Sequence, residues 1–458
     1  MLRKDSIIAL ASGEESAPIS IIRISGKDSI NISNKLFFLN SGKSLISQKS
    51  HTVHLGEIKS KGEVLDQVLL TLFKSPNSYT GENTIEISCH GSKYIQKKII
   101  ELFIKKGVKP AKPGEFTLRA FINGKMDLSQ AEAVSDLISS ENQMSHKISL
   151  NQMRGGFSSE IQKLRTDLLN FTSLIELELD FSEEDVQFAD LDKLNELLIR
   201  IKELILNLIK SFSLGNVIKN GIPVAIIGAP NSGKSTLLNS ILKEDKAIIS
   251  KIPGTTRDII EDTITMQGLS FRFIDTAGIR KTDNEIEKIG IKKTYKKLES
   301  VAYIFYLIDS TIYLKNKSSI HKEISLIIKK NPKTPLLVVF NKIDLKNKIK
   351  FNSIKITSPY VIISAKNKIG LDKLISYMIS NFKNYRENTI ITNSRHYSAL
   401  LNAKKEIENV QKGLKKKISG DLISVDLKHA LNYLGEITGE VTNDELLGNI
   451  FSKFCIGK

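Results

Sequence analysis

The rhythm of apolar positions changes three times along the chain. Up to about residue 120, short apolar runs alternate with turn signals. Ile19 to Ile24 predicts a strand, and Thr84-Ile85-Glu86-Ile87-Ser88-Cys89 alternates as a strand with one buried face does. Ser75-Pro76-Asn77 and Lys112-Pro113-Gly114 mark turns. The apolar run before Ala11 is too short for a signal peptide and is followed by Glu14 and Glu15, which predicts a buried first strand. From about Leu128 the spacing becomes three and four residues. Ile161, Leu164, Leu168, Phe171 and Ile175 form one stripe, and Leu194, Leu197, Ile201, Leu204 and Leu208 another. Around Gly221 short apolar strands begin: Val224 to Ile227, Phe271 to Ile274, Tyr303 to Ile308, Leu336 to Phe340 and Val361 to Ile363. Helical stretches between most of them predict a mostly parallel α/β sheet. After about Lys383 the chain is helical and Lys-rich again.

These textures predict an α+β domain over 1–120, a helical domain in two parts (121–220 and 384–458), and an inserted α/β domain over 221–383. Each helical part alone would leave an apolar stripe in water, so the last helices are expected to rejoin the first in one bundle.

Composition adds little to this. The 458 residues are 41% hydrophobic and 26% charged, ordinary for folded domains. A formal net charge of +17 fits a nucleic-acid partner or lysines scattered over solvated faces, and both readings stay open. Cys89 and Cys455 are the two cysteines, too few and too far apart for a disulfide framework or a zinc site. Cys89 and His90, on the Glu86 strand, read as structural. With no run of about 18 apolar residues, the expectation is a soluble, cytoplasmic protein without a membrane segment.

The chemistry begins at Gly228-Ala229-Pro230-Asn231-Ser232-Gly233-Lys234-Ser235. This run follows a strand and precedes Thr236-Leu237-Leu238, which reads as a helix start, the context a phosphate-binding loop requires. Its glycines let backbone N–H groups close around phosphates, Lys234 can reach the outer phosphates, and the Ser235 hydroxyl can ligate Mg²⁺. Three loops follow in order, each at the end of a predicted strand. Asp275-Thr276-Ala277-Gly278 puts a carboxylate near the metal and an N–H near the terminal phosphate. Asn341-Lys342-Ile343-Asp344 supplies a carboxylate, at Asp344, that can accept both guanine N–H donors. Ser364-Ala365-Lys366 matches the loop that supports the base. Together they predict GTP as the nucleotide. Gly254-Thr255-Thr256-Arg257-Asp258 looks like a first switch, with Thr256 as second Mg²⁺ ligand. The preceding Ser250, Lys251, Ile252 and Pro253 could close over the phosphates with Gly254 and Thr255. In Ras-like enzymes a Gln after the D-x-x-G orients the attacking water. Here Ile279 stands there, so another group must do so. Glu285 and Glu287 follow, and the residues alone leave both as solvated carboxylates. Arg257 is an arginine-finger candidate by charge only.

The whole chain resembles the MnmE (TrmE) family of tRNA modification GTPases, in the TrmE-Era-like group. The stretches that carry the resemblance are Ile22-Arg23-Ile24-Ser25-Gly26, Ser78-Tyr79-Thr80-Gly81-Glu82, Arg119-Ala120-Phe121-Ile122-Asn123-Gly124-Lys125, Gly435-Glu436-Ile437-Thr438-Gly439-Glu440 and the terminal Phe454-Cys455-Ile456-Gly457-Lys458. The resemblance implies a folate-binding, dimerising first domain, a helical domain and a Ras-like P-loop GTPase domain. It implies an enzyme that adds a carboxymethylaminomethyl-type group to C5 of the wobble uridine of certain tRNAs. A folate derivative would supply the one-carbon unit, and GTP hydrolysis would drive a conformational cycle. The implied assembly is a homodimer working with MnmG, which carries FAD. The implied K⁺ ligands are Asn231, Ser250, Ile252 and Thr255, and a fixed cation there would supply the charge of an arginine finger. The resemblance selects Glu287 as the residue that places the water. It places folate at Arg23, Glu86, Lys125 and Lys458, one carboxylate and three cations. Cys455 stays open between a thiolate that adds to a pyrimidine and a small residue packed in the tail. The alternative is an Era-like regulatory GTPase in ribosome assembly, which would carry an RNA-binding module such as a KH domain and no folate pocket.

Overall fold

The computed structural model describes residues 5–13, 15–180, 191–242, 248–250, 261–275, 298, 301–313, 315–332, 334–345, 356, 358–380 and 390–457; at 178–180, 191, 248–250, 261–262 and 275 only the backbone is described. The chain divides into two compact units. One comprises Met1–Ile138, Leu150–Lys202 and Ser398–Lys458; the other comprises Ser139–Ser149 and Glu203–Tyr397.

The first unit holds a seven-stranded sheet of β1 (Ile7–Leu10), β2 (Ala17–Ser25), β3 (Phe37–Leu39), β4 (Thr52–Ser60), β5 (Glu63–Phe73), β6 (Thr84–Gly91) and β7 (Lys109–Pro110), in the order β3-β4-β5-β6-β2-β1-β7. Neighbours are antiparallel except β1 and β7. Alternation decides its faces. Ile22, Ile24, Val68, Leu70, Leu72, Ile85, Ile87 and Cys89 point to one core, completed by Ile99 and Phe103 of α2 (Lys93–Lys105), which follows α1 (Ser29–Leu36). The residues between them, Arg23 and Glu86 included, face the other way. The predicted buried first strand is β1, whose Ile7 and Ile8 are buried.

Helices follow: α3 (Glu115–Ile122), α4 (Leu128–Ile138), α5 (Gln143–Met153), α6 (Gly156–Asp180) and α7 (Leu191–Asn220). The C-terminal helices pack within the first unit. After α8 (Lys234–Leu242), α9 (Ser310–Tyr313), α10 (Lys317–Lys330), α11 (Leu371–Ser380) and α12 (Ser394–Lys415), helix α13 (Gly420–Thr438) packs along α6, and α14 (Asp444–Phe451) packs on α3. Ion pairs Arg165–Glu440 and Lys428–Glu176 join α6 to α13 and its end. Phe451 and Phe454 close a small core with Leu128 and Ala131.

The second unit holds β8 (Ile222–Ile227), β9 (Ile248–Ser250), β10 (Glu261–Met266), β11 (Leu269–Asp275), β12 (Tyr303–Asp309), β13 (Leu336–Asn341) and β14 (Tyr360–Ile362), ordered β14-β13-β12-β8-β11-β10-β9. The five strands from β14 to β11 are parallel; β10 and β9 are antiparallel additions. Tyr303, Phe305 and Leu307 enter one core, and Ile304, Tyr306 and Ile308 the core on the opposite face. A strand buried on both faces needs an unbroken apolar run, which is why β8, β12 and β13 stand out in the sequence. Among the described residues no helix is long and apolar enough to cross a membrane.

Candidate functional site

β8 lies between β11 and β12, and its C-terminal end runs into the loop Gly228–Gly233. Two glycines are forced. A Cβ on Gly228 (φ +150°) would stand 2.2 Å from the Leu307 carbonyl oxygen, and one on Gly233 (φ +99°) 2.2 Å from Asn341 Nδ2. Asn231 sits at φ +60°, a left-handed conformation that Asn tolerates better than most residues. α8 starts at Lys234, two residues before the predicted start at Thr236. Leu237 N–H donates to the Gly233 carbonyl at 2.8 Å, so the first turn forms directly on the loop. Lys234 Nζ donates to the carbonyls of Gly228 (2.7 Å) and Ala229 (2.9 Å), lying across the loop it serves. Ser232 is 1% exposed, and its Oγ has no hydrogen-bond partner among the described residues. Ser235 and Thr236 are exposed at the helix start.

The two base loops lock onto this one. Asn341 Nδ2 donates to the Ser232 carbonyl at 2.9 Å, while Asn341 Oδ1 accepts from Ala365 N–H at 2.9 Å. One buried side chain thus ties the phosphate loop to Ser364-Ala365-Lys366, and Ser240 of α8 donates to the Ala365 carbonyl. Ser364 Oγ donates to Asp344 Oδ1 at 2.6 Å and accepts from Asn367 N–H, which fixes the Asp344 carboxylate. Lys366 is exposed. Lys342, at φ +66°, donates to Asp309 Oδ2 at 2.8 Å. Burial works against the charged Asp309, but hydrogen bonds from Lys342 and from the Thr311 side chain and backbone outweigh it, so its carboxyl lies below the ordinary value. Asp309 carries no motif in the sequence; its signal there is its place at the end of a parallel strand.

Of the remaining predicted nucleotide and metal residues, Ser250 ends β9 and Asp275 ends β11. Lys251, Ile252, Pro253, Gly254, Thr255, Thr256, Thr276, Ala277, Gly278 and Glu287 lie outside the described residues, as do Arg257, Ile279 and Glu285. What is described fits a triphosphate with Mg²⁺: a glycine loop held close against Leu307 and Asn341, a lysine across it, and the exposed Ser235 hydroxyl.

A second cluster lies on the other face of the first sheet, beside Phe116 of α3, which packs there against Ile7 and Ala9. Arg23 on β2 stands opposite Glu86 on β6, with Nε and Nη2 2.9 and 2.8 Å from Glu86 Oε1. Arg23 Nη1 donates to the Gly457 carbonyl at 3.2 Å, and the guanidinium lies 5.3 Å from the Tyr79 ring centre. Beside the pair is a cavity of about 610 Å³ lined by Glu86, Lys125, His51, Phe73, Tyr79, Ser78, Asn77 and Thr84. Three of the four predicted folate residues therefore come together; Lys458 lies outside the described residues, one position beyond Gly457. The cavity offers one carboxylate, the Lys125 cation with Arg23 behind Glu86, and aromatic walls, which fits a pterin with N–H donors and an anionic tail. His51, Phe73 and Tyr79 carry no site assignment from the sequence. Tyr79 at least lies within the family-like stretch Ser78-Tyr79-Thr80-Gly81-Glu82.

An ion cluster centred on the buried Arg119 lies next to the Ser78–Tyr79 wall of the cavity. Arg119 of α3 bonds Glu82 (3.1 Å), Glu115 (2.9 Å) and the Asp5 carbonyl (2.8 Å). Glu82 accepts from Ser25 Oγ, which bonds Thr80 Oγ1, and Asn123 and Lys125 donate to the carbonyls of Thr80 and Pro76. The tail reaches the same region, where the Cys455 carbonyl accepts from Gly114 N–H.

The two thiols differ sharply. Cys455 is exposed and Cys89 is buried. Burial first, then the nearby Asp66 charge, pushes the Cys89 thiol up to about 11. At pH 8 a disulfide reagent is expected to titrate one thiol in the native protein and two in denaturant. Two fast native thiols would contradict the placement of Cys89.

Residues 128–455 match the family model for the MnmE helical domain, and residues 6–125 match that for the GTP-binding protein TrmE N-terminus. The chain belongs to the MnmE family. Relatives along its full length agree. It is 54% identical over 462 residues to the tRNA modification GTPase MnmE of Flavobacterium psychrophilum, covering 100% of both chains. It is 54% identical over 466 residues to that of Flavobacterium johnsoniae and 51% identical over 475 residues to that of Christiangramia forsetii, again covering 100% of each. Both the phosphate loop and the Arg23–Glu86 cavity lie within stretches matched to MnmE models.

Proposed function

We propose that this chain binds and hydrolyses GTP and uses the cycle in modifying tRNA. The observation that carries the reading is the interlock of Asn341, Ser232 and Ala365, with Asp344 fixed by Ser364, on a chain that matches MnmE relatives end to end. It builds a guanine-selecting carboxylate and a phosphate cradle into one rigid piece.

The finer reading follows the family. The substrate is the wobble uridine of certain tRNAs, which receives a carboxymethylaminomethyl-type group at C5. A tetrahydrofolate derivative occupies the Arg23–Glu86–Lys125 cavity, with Lys458 completing it. The partner is MnmG with its FAD, and the working place is the cytoplasm. A homodimer is supported by the exposed part of the first sheet, where Val53, Leu55, Leu69 and Phe38 are exposed and Leu55 stands opposite Leu69. An Era-like ribosome-assembly role explains neither the folate-sized cavity nor the match over 6–125.

In hydrolysis, Ser235 and Thr256 would hold Mg²⁺, with Asp275 near it. Asn231, Ser250, Ile252 and Thr255 would hold K⁺, which when bound supplies positive charge beside the phosphates. Glu287 would place the water. Turnover of GTP in K⁺ against Na⁺, for the wild type and Glu287→Ala, tests this. The wild type is expected to turn over at least ten-fold faster in K⁺, and Glu287→Ala to keep GTP affinity and lose most turnover. Equal rates in both salts remove the cation, and unchanged single-turnover hydrolysis removes Glu287.

A further inference from the structure

One surface has no part in either site. On α2, Tyr94, Lys97, Lys98, Glu101 and Lys105 recur at i, i+3, i+4, i+7 and i+11 and form one stripe, with Lys93 a turn before Lys97. Gln96, Ile99 and Phe103 on the opposite stripe are buried in the sheet core. Tyr94 is 64% exposed. Lys98 stands 5.9 Å from its ring centre and 3.0 Å from the Glu101 carboxylate. Glu101 is the one acid of the helix, and Lys98 neutralises it. Lys93, Lys97 and Lys105 are exposed, and Lys97 and Lys105 add weaker attraction to Glu101 beyond that of its partner Lys98. They span about 18 Å of helix at 1.5 Å per residue.

Cations at helical spacing complement a row of phosphates, and an exposed ring complements the face of an unstacked base. An acidic protein surface would match the lysines but leave the ring without a partner. We propose that this face of α2 holds a looped, unpaired segment of tRNA, with its phosphates against Lys93, Lys97 and Lys105 and one base stacked on Tyr94. The proposal rests on the tRNA reading above and adds where on this chain the RNA is held.

The test measures binding of labelled bulk tRNA to the full chain across a KCl series. Tyr94→Ala is expected to weaken binding about ten-fold and Tyr94→Phe to bind as the wild type does. Lys93→Ala with Lys97→Ala is expected to lower the slope of log K against log salt by about 1.4, at about 0.7 for each single-strand phosphate no longer neutralised. The thermal unfolding profile stays unchanged in all three, which reports an intact first unit, and unchanged GTP turnover without tRNA reports an intact second. Wild-type tRNA binding by Tyr94→Ala, or an unchanged slope in the lysine variant, overturns the placement. So does a flattened slope with Tyr94→Ala silent, which means unspecific attraction. Poly-glutamate binding abolished in the lysine variant while tRNA binding persists would assign the face to an acidic protein instead. If the wild type itself binds no tRNA, the tRNA reading falls first and the placement with it.

Discussion

Asp344→Asn should lower GTP affinity by roughly two to four orders of magnitude while raising affinity for XTP. The Asp344 carboxylate is an acceptor at both oxygens, and guanine presents two N–H donors to such a group. Hydrogen bonds to a charged acceptor contribute about 1.5–3 kcal/mol each, so disrupting two costs about 3–6 kcal/mol. Ser364 donates to Oδ1 at 2.6 Å, so an introduced amide would keep its oxygen there and present its NH₂ where Oδ2 was. That NH₂ opposes a guanine donor but matches the carbonyl that xanthine carries in place of the exocyclic amine. Binding of fluorescent GTP and XTP to both proteins measures the exchange. An unchanged GTP dissociation constant would remove Asp344 from base recognition; equal loss of both nucleotides would mean the loop had collapsed.

Arg23→Ala should weaken binding of tetrahydrofolate about 30- to 300-fold and change GTP turnover less than two-fold. The substitution leaves Glu86 without its ion partner, frees the Gly457 carbonyl and removes the cation beside Tyr79. Truncating one partner of a charge pair across a binding interface costs about 2–5 kcal/mol; for a pair between Arg23 and the anionic tail of the ligand the lower half of that range applies, because the side chain retains some exposure. Titration calorimetry with tetrahydrofolate reads the effect, and nucleotide turnover shows that the other unit is intact. Undiminished folate binding would place the ligand elsewhere.

The sequence revealed most where one strand carried its own evidence. β8, β12 and β13 are buried on both faces, so they appear as continuous apolar runs, and β8 and β13 run into motif loops. β6 was equally clear, because alternation over Thr84 to Cys89 separates core from site. β4, β5 and β10 were not anticipated. The free face of β4 and β5 carries exposed Val53, Leu55 and Leu69, which blurs the alternation that would have marked these strands. The cavity was half legible. Arg23, Glu86 and Lys125 came from short motif stretches. His51 and Phe73 could not, because they reach the site through the β4–β5 pairing, a long-range contact that local pattern does not encode. Asp309 was hidden for the same reason: its partner Lys342 sits on the neighbouring parallel strand's loop.

The proposed function joins a GTP cycle to the chemistry of one tRNA base. Nucleoside mass spectrometry of tRNA from cells lacking this protein tests it most directly. The C5 carboxymethylaminomethyl-type modifications of wobble uridine should disappear and return with the wild-type chain. Full persistence of those modifications in the deleted cells would contradict the account.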